Sequence, residues 1–273
     1  MTSLPTIAIL GAGSMGGAIL SGLLQPSVRT DGIRVTNRTQ HKADALRSDR
    51  VISLALDADP EANAIAVDGA KIVIVGVKPA MVADLLRELA PALAADAIVV
   101  SVAAGVTIAT MEAIVPNVVV RAMPNTPAVV GKGVTGVSGG SRATDADVQL
   151  VRDLFETVGD VLVIPEAKID ALSTISGSGP AYVFYLIEQL TRTARGLGFT
   201  DDEARVMVNG TFLGSADLLV SSGETPRELR RRVTSPKGTT ERAVAELEKA
   251  HLSDLFDRAT AAALARAKEL AAG

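Results

Sequence analysis

The stretch Thr6-Ile-Ala-Ile-Leu-Gly-Ala-Gly-Ser-Met-Gly-Gly17 constrains this chain more than any other. A short apolar run, Ile7 to Leu10, ends in Gly11-x-Gly13-x-x-Gly16, and apolar residues follow at helical spacing, at Ala18, Ile19, Leu23 and Leu24. That order predicts a strand, a tight glycine turn and a helix. Gly11 permits a turn that no side chain would allow, Gly13 lets the backbone approach a pyrophosphate, and Gly16 lets the helix pack close to the strand. The first amides of the helix then face the anion. Glycines also mark ordinary strand-to-helix turns, so the weight of the motif comes from the strand before it and the helix after it.

The chain has 273 residues, enough for one large domain or two ordinary ones. It has no cysteine, which excludes disulfides, thiolate nucleophiles and cysteine-ligated metals. Its two histidines, His41 and His251, have no second histidine at ligand spacing, so no metal site is expected. A net charge of −4 and a pI near 5.3 offer no bulk attraction to nucleic acid or to an anionic membrane. The start of the chain lacks a basic segment followed by a long apolar run, and Ile72 to Val77 is too short to span a bilayer. The expectation is a cytoplasmic enzyme.

The first half alternates strand and helix signals. Ile33 to Thr36 reads as a strand, and its end is where a dinucleotide site tells its two cofactors apart. NAD sites place an acid about 20 residues beyond the glycines to bind the ribose hydroxyls. Here Thr36-Asn37-Arg38-Thr39 stands instead, and the planar fork of Arg38 suits a 2′-phosphate. The reading is therefore NADPH, with NADH as the alternative donor. Val51 to Leu54 is a further strand. Lys71-Ile-Val-Ile-Val-Gly-Val-Lys78-Pro79 is a near-continuous apolar run of the kind buried on both faces of a parallel sheet, and Pro79 suits the first turn of a helix to Leu89. Ala97 to Val102 runs into small residues, Ala103-Ala104-Gly105, and Val118 to Ala122 runs into Met123-Pro124-Asn125-Thr126-Pro127, an extended loop. Glycines 131, 133 and 136 punctuate a strand pair, and a helix from 144 to 158 and a strand from 161 to 164 complete a doubly wound parallel sheet.

From Glu166 onward the pattern is helical. Ala181-Tyr-Val-Phe-Tyr-Leu-Ile187 is apolar nearly all round, which predicts burial in a neighbouring subunit. Asp201 to Ser222 reads as a long helix with Ala204, Met207, Val208, Phe212 and Leu219 as its core, and Leu255 to Ala272 as another. Two interruptions stand out. Ser176-Gly-Ser-Gly-Pro-Ala181 opens a helix with two glycines and a proline, and Val233-Thr-Ser-Pro-Lys-Gly-Thr-Thr240 places Gly238, Thr239 and Thr240 at a helix start, where amides and hydroxyls converge on a carboxylate-sized target. On physics alone, a simple capped helix entry accounts for the second equally well.

These two stretches, with Arg121-Ala-Met-Pro-Asn-Thr-Pro127, Val77-Lys78-Pro79 and Ser101-Val-Ala-Ala-Gly105, make the sequence resemble the pyrroline-5-carboxylate reductase family over essentially its whole length. Thr234-Ser235-Pro236-x-Gly238-Thr239-Thr240 is the most specific element. The resemblance implies an α/β fold, with an N-terminal Rossmann domain binding NADP over residues 1–165 and an all-α domain over 166–273 for dimerisation and substrate binding. It implies hydride transfer from NAD(P)H to the C=N carbon of 1-pyrroline-5-carboxylate, giving L-proline, in homodimers that often assemble further into decamers. Around the dinucleotide it sets Leu10, Gly11, Ala12, Gly13, Ser14, Met15, Gly16, Asn37, Arg38, Asn63, Gly76, Val77, Lys78, Pro79, Val102, Ala103 and Ala104. Around the substrate it sets Met123, Pro124, Asn125, Ser235, Gly238, Thr239 and Thr240, with the Gly238 to Thr240 turn presented to the Rossmann domain of the other subunit and Thr240 as the catalytic candidate.

Two positions depart from the family pattern: Lys237, where many members have glycine, and Arg232, where some relatives carry an asparagine that touches the cofactor. The β-hydroxyacid dehydrogenases share this architecture but need a lysine on the interdomain helix, and Gly177 to Leu190 contains none. A protein that senses NADP without turnover is the rival from another class, and it has no use for a carboxylate pocket.

Overall fold

The computed structural model describes the backbone of residues 2–272 and side chains as far as residue 269. Two compact units emerge: Met1–Ser178 with Ala263–Gly273, and Gly179–Ala262.

The first unit is built on strands β1 (Thr2–Leu4), β2 (Ile7–Leu10), β3 (Val28–Thr30), β4 (Ile33–Asn37), β5 (Val51–Ala55), β6 (Ile72–Val75), β7 (Ile98–Ser101), β8 (Val118–Met123), β9 (Gly133–Gly139) and β10 (Gly159–Val163). Eight of them form one sheet in the order β10-β9-β8-β7-β6-β2-β4-β5, while β1 and β3 pair separately. From β5 to β8 all neighbours are parallel, so the chain winds outward from β2 in both directions, as the apolar runs predict. At β8 the direction reverses: β9 is antiparallel to it, and β10 runs with β9.

The helices of this unit are α1 (Ser14–Leu23), α2 (Gln40–Asp44), α3 (Ala62–Val67), α4 (Pro79–Leu89), α5 (Ile108–Glu112), α6 (Asp145–Phe155) and α7 (Ile169–Leu172). Strand side chains alternate between two cores, as a period of two requires. Ile7, Ile9, Ile72 and Ile74 pack with Ile19 and Leu23 of α1 and with Leu154 and Phe155 of α6. Ala8, Leu10, Val73 and Val75 pack with Val67 of α3, with Val82 and Leu86 of α4 and with Met111 of α5.

The segment after β10 remains with the sheet for identifiable reasons. Arg121 on β8 is buried and pairs with Glu166 at 3.4 Å and Asp170 at 2.5 Å. Glu166 also accepts the amide of Ile108 at 2.7 Å. Asn125 donates to the carbonyl of Ser176 at 2.9 Å. A Cβ on Gly136 would stand 2.9 Å from Leu172 and 3.2 Å from Ile169, so the bare backbone of β9 makes room for α7. Residues 173–177 form one π-helical turn, closed by the amide of Ser178 on the carbonyl of Ser173 at 2.9 Å.

The second unit contains α8 (Gly179–Gly196), α9 (Asp201–Ser222), α10 (Pro226–Arg232), α11 (Thr239–Glu248) and most of α12 (Leu252–Ala272). Helix α9 opens on a capping box, in which Thr200 and Glu203 satisfy each other's amides. Of its expected core, Ala204 and Val208 are buried, but Met207 and Leu219 are 39% and 36% exposed. On α8, Val183, Phe184, Tyr185, Leu186 and Leu190 are exposed too. The hydrophobic pattern is there, but within a single chain only a small part of it finds a partner. Among the described residues no helix is long and apolar enough to cross a membrane.

The β9–β10 pairing offers a sharp test. Gly159 (φ 144°) faces Gly133 so closely that a Cβ would lie 2.1 Å from the Gly133 carbonyl oxygen. Gly159→Ala should therefore cost more than about 4 kcal/mol, seen as a large fall in Tm. Gly32→Ala, whose Cβ would meet Thr6 at an ordinary 3.5 Å, should change stability by less than about 1 kcal/mol.

Candidate active site

Five of the predicted cofactor and substrate segments fall at the carboxyl ends of five adjacent strands. In spatial order these are Asn37-Arg38 after β4, Gly11 to Ser14 after β2, Gly76 to Pro79 after β6, Val102 to Ala104 after β7, and Met123 to Asn125 at β8. The chain leaves β2 in one direction to β4 and in the other to β6, which makes this edge the topological switch point where open α/β sheets bind ligands.

The glycine turn is held from below. The amides of Gly11 and Ala12 donate to the carbonyl of Thr36 at 3.2 and 3.0 Å, and the Thr36 hydroxyl also accepts from Gly11 at 3.3 Å. Gly11 has φ 84°. A Cβ on Gly16 would lie 2.8 Å from the Gly11 carbonyl oxygen, and one on Gly76 would lie 2.9 Å from the same atom. Gly13 is different: a Cβ there would meet no protein atom within 4 Å. The space above Gly13 is open, so no described neighbour requires a glycine there. Gly13 is also the N-cap of α1, makes no side-chain cap, and is followed by a first turn without acids. The helix therefore presents open amides and no negative charge to an anion.

Beside the turn lies a cleft of about 580 Å³ lined by Gly11, Thr36, Asn37, Arg38, Leu56, Pro60, Asn63, Val77, Ala80, Met81, Asp84, Leu85 and Glu88. Two buried side-chain atoms in it have no partner among the described residues, Asn37 Nδ2 and Asn63 Oδ1. Asn37 and Asn63 are only 5% and 7% exposed, so these atoms call for a bound polar group. Arg38 is exposed, and no described residue pairs with its guanidinium. Asp84, also in the lining, is engaged with Arg87 at 2.6 Å. Apolar walls, two orphaned amide atoms and a free guanidinium fit a dinucleotide carrying a 2′-phosphate. Lys78 and Pro79 open α4 as N-cap and first residue, and Ala103 is buried with its amide on the Ser101 hydroxyl at 3.2 Å.

The β8 loop is held as firmly. Pro124 and Asn125 are buried, and the Asn125 Oδ1 accepts the amide of Val134 at 2.8 Å while its Nδ2 binds Ser176. Asn125 thus ties the loop that carries Met123 to Val134 and Ser176.

In the second unit the Thr234 to Thr240 turn leads into α11. The amide of Gly238 donates to the Ser235 carbonyl at 2.9 Å, and a Cβ on Gly238 would lie 2.9 Å from that same oxygen. With that amide used, the open donors of the first turn are those of Thr239, Thr240 and Glu241, from which no described residue accepts, and the Thr239 and Thr240 side chains are exposed. Lys237 adopts φ 62°, and its amide donates to Glu241 Oε2 at 2.8 Å. Arg232 pairs with Glu224 at 2.5 Å and Glu228 at 3.0 Å. Hydrogen bonds from Arg231 and Arg232 hold the Glu228 carboxyl at about 2.

Sequence reasoning missed Thr36, Leu56, Pro60 and Met81 as cleft residues, and Glu241 as a partner of the turn. Thr36 carries a signal, a polar residue at the end of an apolar strand. Leu56, Pro60 and Met81 carry none, because strand pairing and the docking of α4 bring them to the cleft.

A family model described as pyrroline-5-carboxylate reductase dimerisation matches residues 166–270, and one described as NADP oxidoreductase, coenzyme F420-dependent, matches residues 6–105. The pyrroline-5-carboxylate reductase of Corynebacterium melassecola is 40% identical over 97% of this chain and 98% of its own length. That of Pseudomonas aeruginosa is 37% identical over 98% of each. Among solved structures, a pyrroline-5-carboxylate reductase from Coxiella burnetii superposes with a TM-score of 0.89 at 35% identity, covering 97% of both chains. The Plasmodium falciparum pyrroline carboxylate reductase with NADP bound gives 0.81 at 25% identity, covering 97% of this chain and 98% of its own. With relatives of this closeness along nearly its full length, the chain belongs to the pyrroline-5-carboxylate reductase family.

Proposed function

We propose that this protein reduces 1-pyrroline-5-carboxylate to L-proline with NADPH, the last step of proline biosynthesis. The observation that carries the reading is the turn before α11, whose Thr239 and Thr240 amides are open toward an anion next to an exposed hydroxyl. These amides hold the substrate carboxylate, and Gly238 allows the backbone to turn tightly enough to present them. The Thr240 hydroxyl hydrogen-bonds the ring nitrogen. That nitrogen already carries its proton, so the chain needs no strong acid. Orientation is worth up to roughly 7–11 kcal/mol, enough to supply most of the rate.

At the sheet edge, the α1 amides and Gly13 take the pyrophosphate, Asn37 and Asn63 take polar groups of the nucleoside, and Arg38 takes the 2′-phosphate. The bound reduced dinucleotide supplies the hydride to the C=N carbon. Gly76 to Pro79 and Val102 to Ala104 complete its seat, and Met123 and Pro124 border the substrate. We place the reaction in a homodimer formed through α8 and α9, in the cytoplasm, with further assembly toward a decamer. The exposed apolar residues of those helices support the dimer.

Purified protein should oxidise NADPH only when the pyrroline is added, and its kcat/KM should be higher with NADPH than with NADH. Arg38→Ala should lower kcat/KM for NADPH roughly tenfold or more, the worth of a charge-assisted hydrogen bond, and leave the NADH value unchanged. Equal loss with both donors would remove the proposed role of Arg38. Gly13→Val should keep the wild-type Tm yet fail to bind NADPH in a fluorescence titration. Thr240→Ala should lower kcat/KM for the pyrroline roughly tenfold with the KM for NADPH unaltered, and unaltered pyrroline kinetics would count against its role.

A further inference from the structure

Among the described residues, Lys237 and His251 are the non-glycine positions with positive φ, at 62° and 46°. For a lysine the left-handed region is unfavourable, so something must hold it there. Lys237 lies between Pro236 and Gly238, directly ahead of the amides assigned to the substrate carboxylate. Glu241 supplies the hold. It stands in the first turn of α11, and its carboxylate reaches back over the turn to accept the Lys237 amide at 2.8 Å. In an ordinary capping box the acid would serve the N-cap amide. Here the N-cap is Gly238, and its amide is already taken by Ser235. The carboxylate is thus drawn one residue further upstream, and no described bond joins it to the amides of Thr239 or Thr240.

We infer that Glu241 is a positioning residue for the substrate carboxylate: by clamping Lys237 in the left-handed conformation it fixes the turn and keeps its own charge off the open amides of Thr239 and Thr240. A carboxylate released from Lys237 would compete with the substrate for those amides, and a turn without the clamp would relax toward a conformation that lysine prefers. The inference rests on the proposed reading of the turn as the substrate's carboxylate site.

Steady-state kinetics of the full-length protein test it with three variants: Glu241→Ala, Glu241→Gln and the double variant Lys237→Gly with Glu241→Ala. Glu241→Ala should raise the KM for the pyrroline roughly tenfold, the worth of a hydrogen bond to a charged group, with the KM for NADPH and the Tm unchanged. Glu241→Gln retains an acceptor oxygen and should recover much of the loss. The double variant should restore the pyrroline KM to near the wild-type value, because glycine adopts φ near 62° unaided. An unchanged pyrroline KM in Glu241→Ala, or a double variant no better than Glu241→Ala alone, would overturn the inference. Wild-type protein inactive on the pyrroline would instead overturn the reading beneath it, so the two failures are distinguishable.

Discussion

The N-terminal unit is organised about one atom, the carbonyl oxygen of Gly11. A Cβ on Gly16 or on Gly76 would come within 2.8 or 2.9 Å of it, so the opening of α1 and the end of β6 can share that space only as bare backbone. The amides of Gly11 and Ala12 meanwhile fasten the turn to β4 through Thr36. Three strand ends are thereby drawn together, and the cleft between them has the width its glycines dictate. Asn37, Arg38 and Asn63 line the cleft beside that turn.

The second constraint is electrostatic. A guanidinium buried like that of Arg121 is costly unless paired, and its two carboxylates come from residues 45 and 49 positions further along the chain. Together with the Asn125–Ser176 bond, this binds residues 166–178 to the sheet although their local pattern is helical. The family model for the dimerisation domain begins at residue 166, while the compact unit closes at Ser178. Ancestry and packing thus divide this stretch differently. It carries the π-helical turn, the place where the chain changes allegiance.

Much of this was legible in the residues. Continuous apolar runs gave β2, β6 and β7, Pro79 gave the start of α4, and Gly11 to Gly16 gave the cradle, because each depends on local sterics or on a strict period. β1 and β3 were not legible, being three residues each and without periodicity. The reversal of β9 and β10 depends on long-range pairing that no local signal encodes. The exposure of Met207 and Leu219 has a related cause: periodicity says which residues of a helix are apolar, not which chain will cover them. In the turn before α11 the small residues were readable, whereas the hold of Glu241 on Lys237 appears only once the backbone angle is known.

Gly13 stands apart from Gly11, Gly16 and Gly76 in how a cell would meet its loss. A side chain at Gly11, Gly16 or Gly76 strains the backbone crossing itself, and such a chain is open to chaperones and proteases in proportion to its instability. A side chain at Gly13 projects into empty space and leaves the fold intact. The quality-control machinery has no packing defect there to detect, so if Gly13 seats the cofactor as proposed, a defective enzyme of this kind would accumulate. On the proposed reading, selection at Gly13 acts through catalysis and not through the fold.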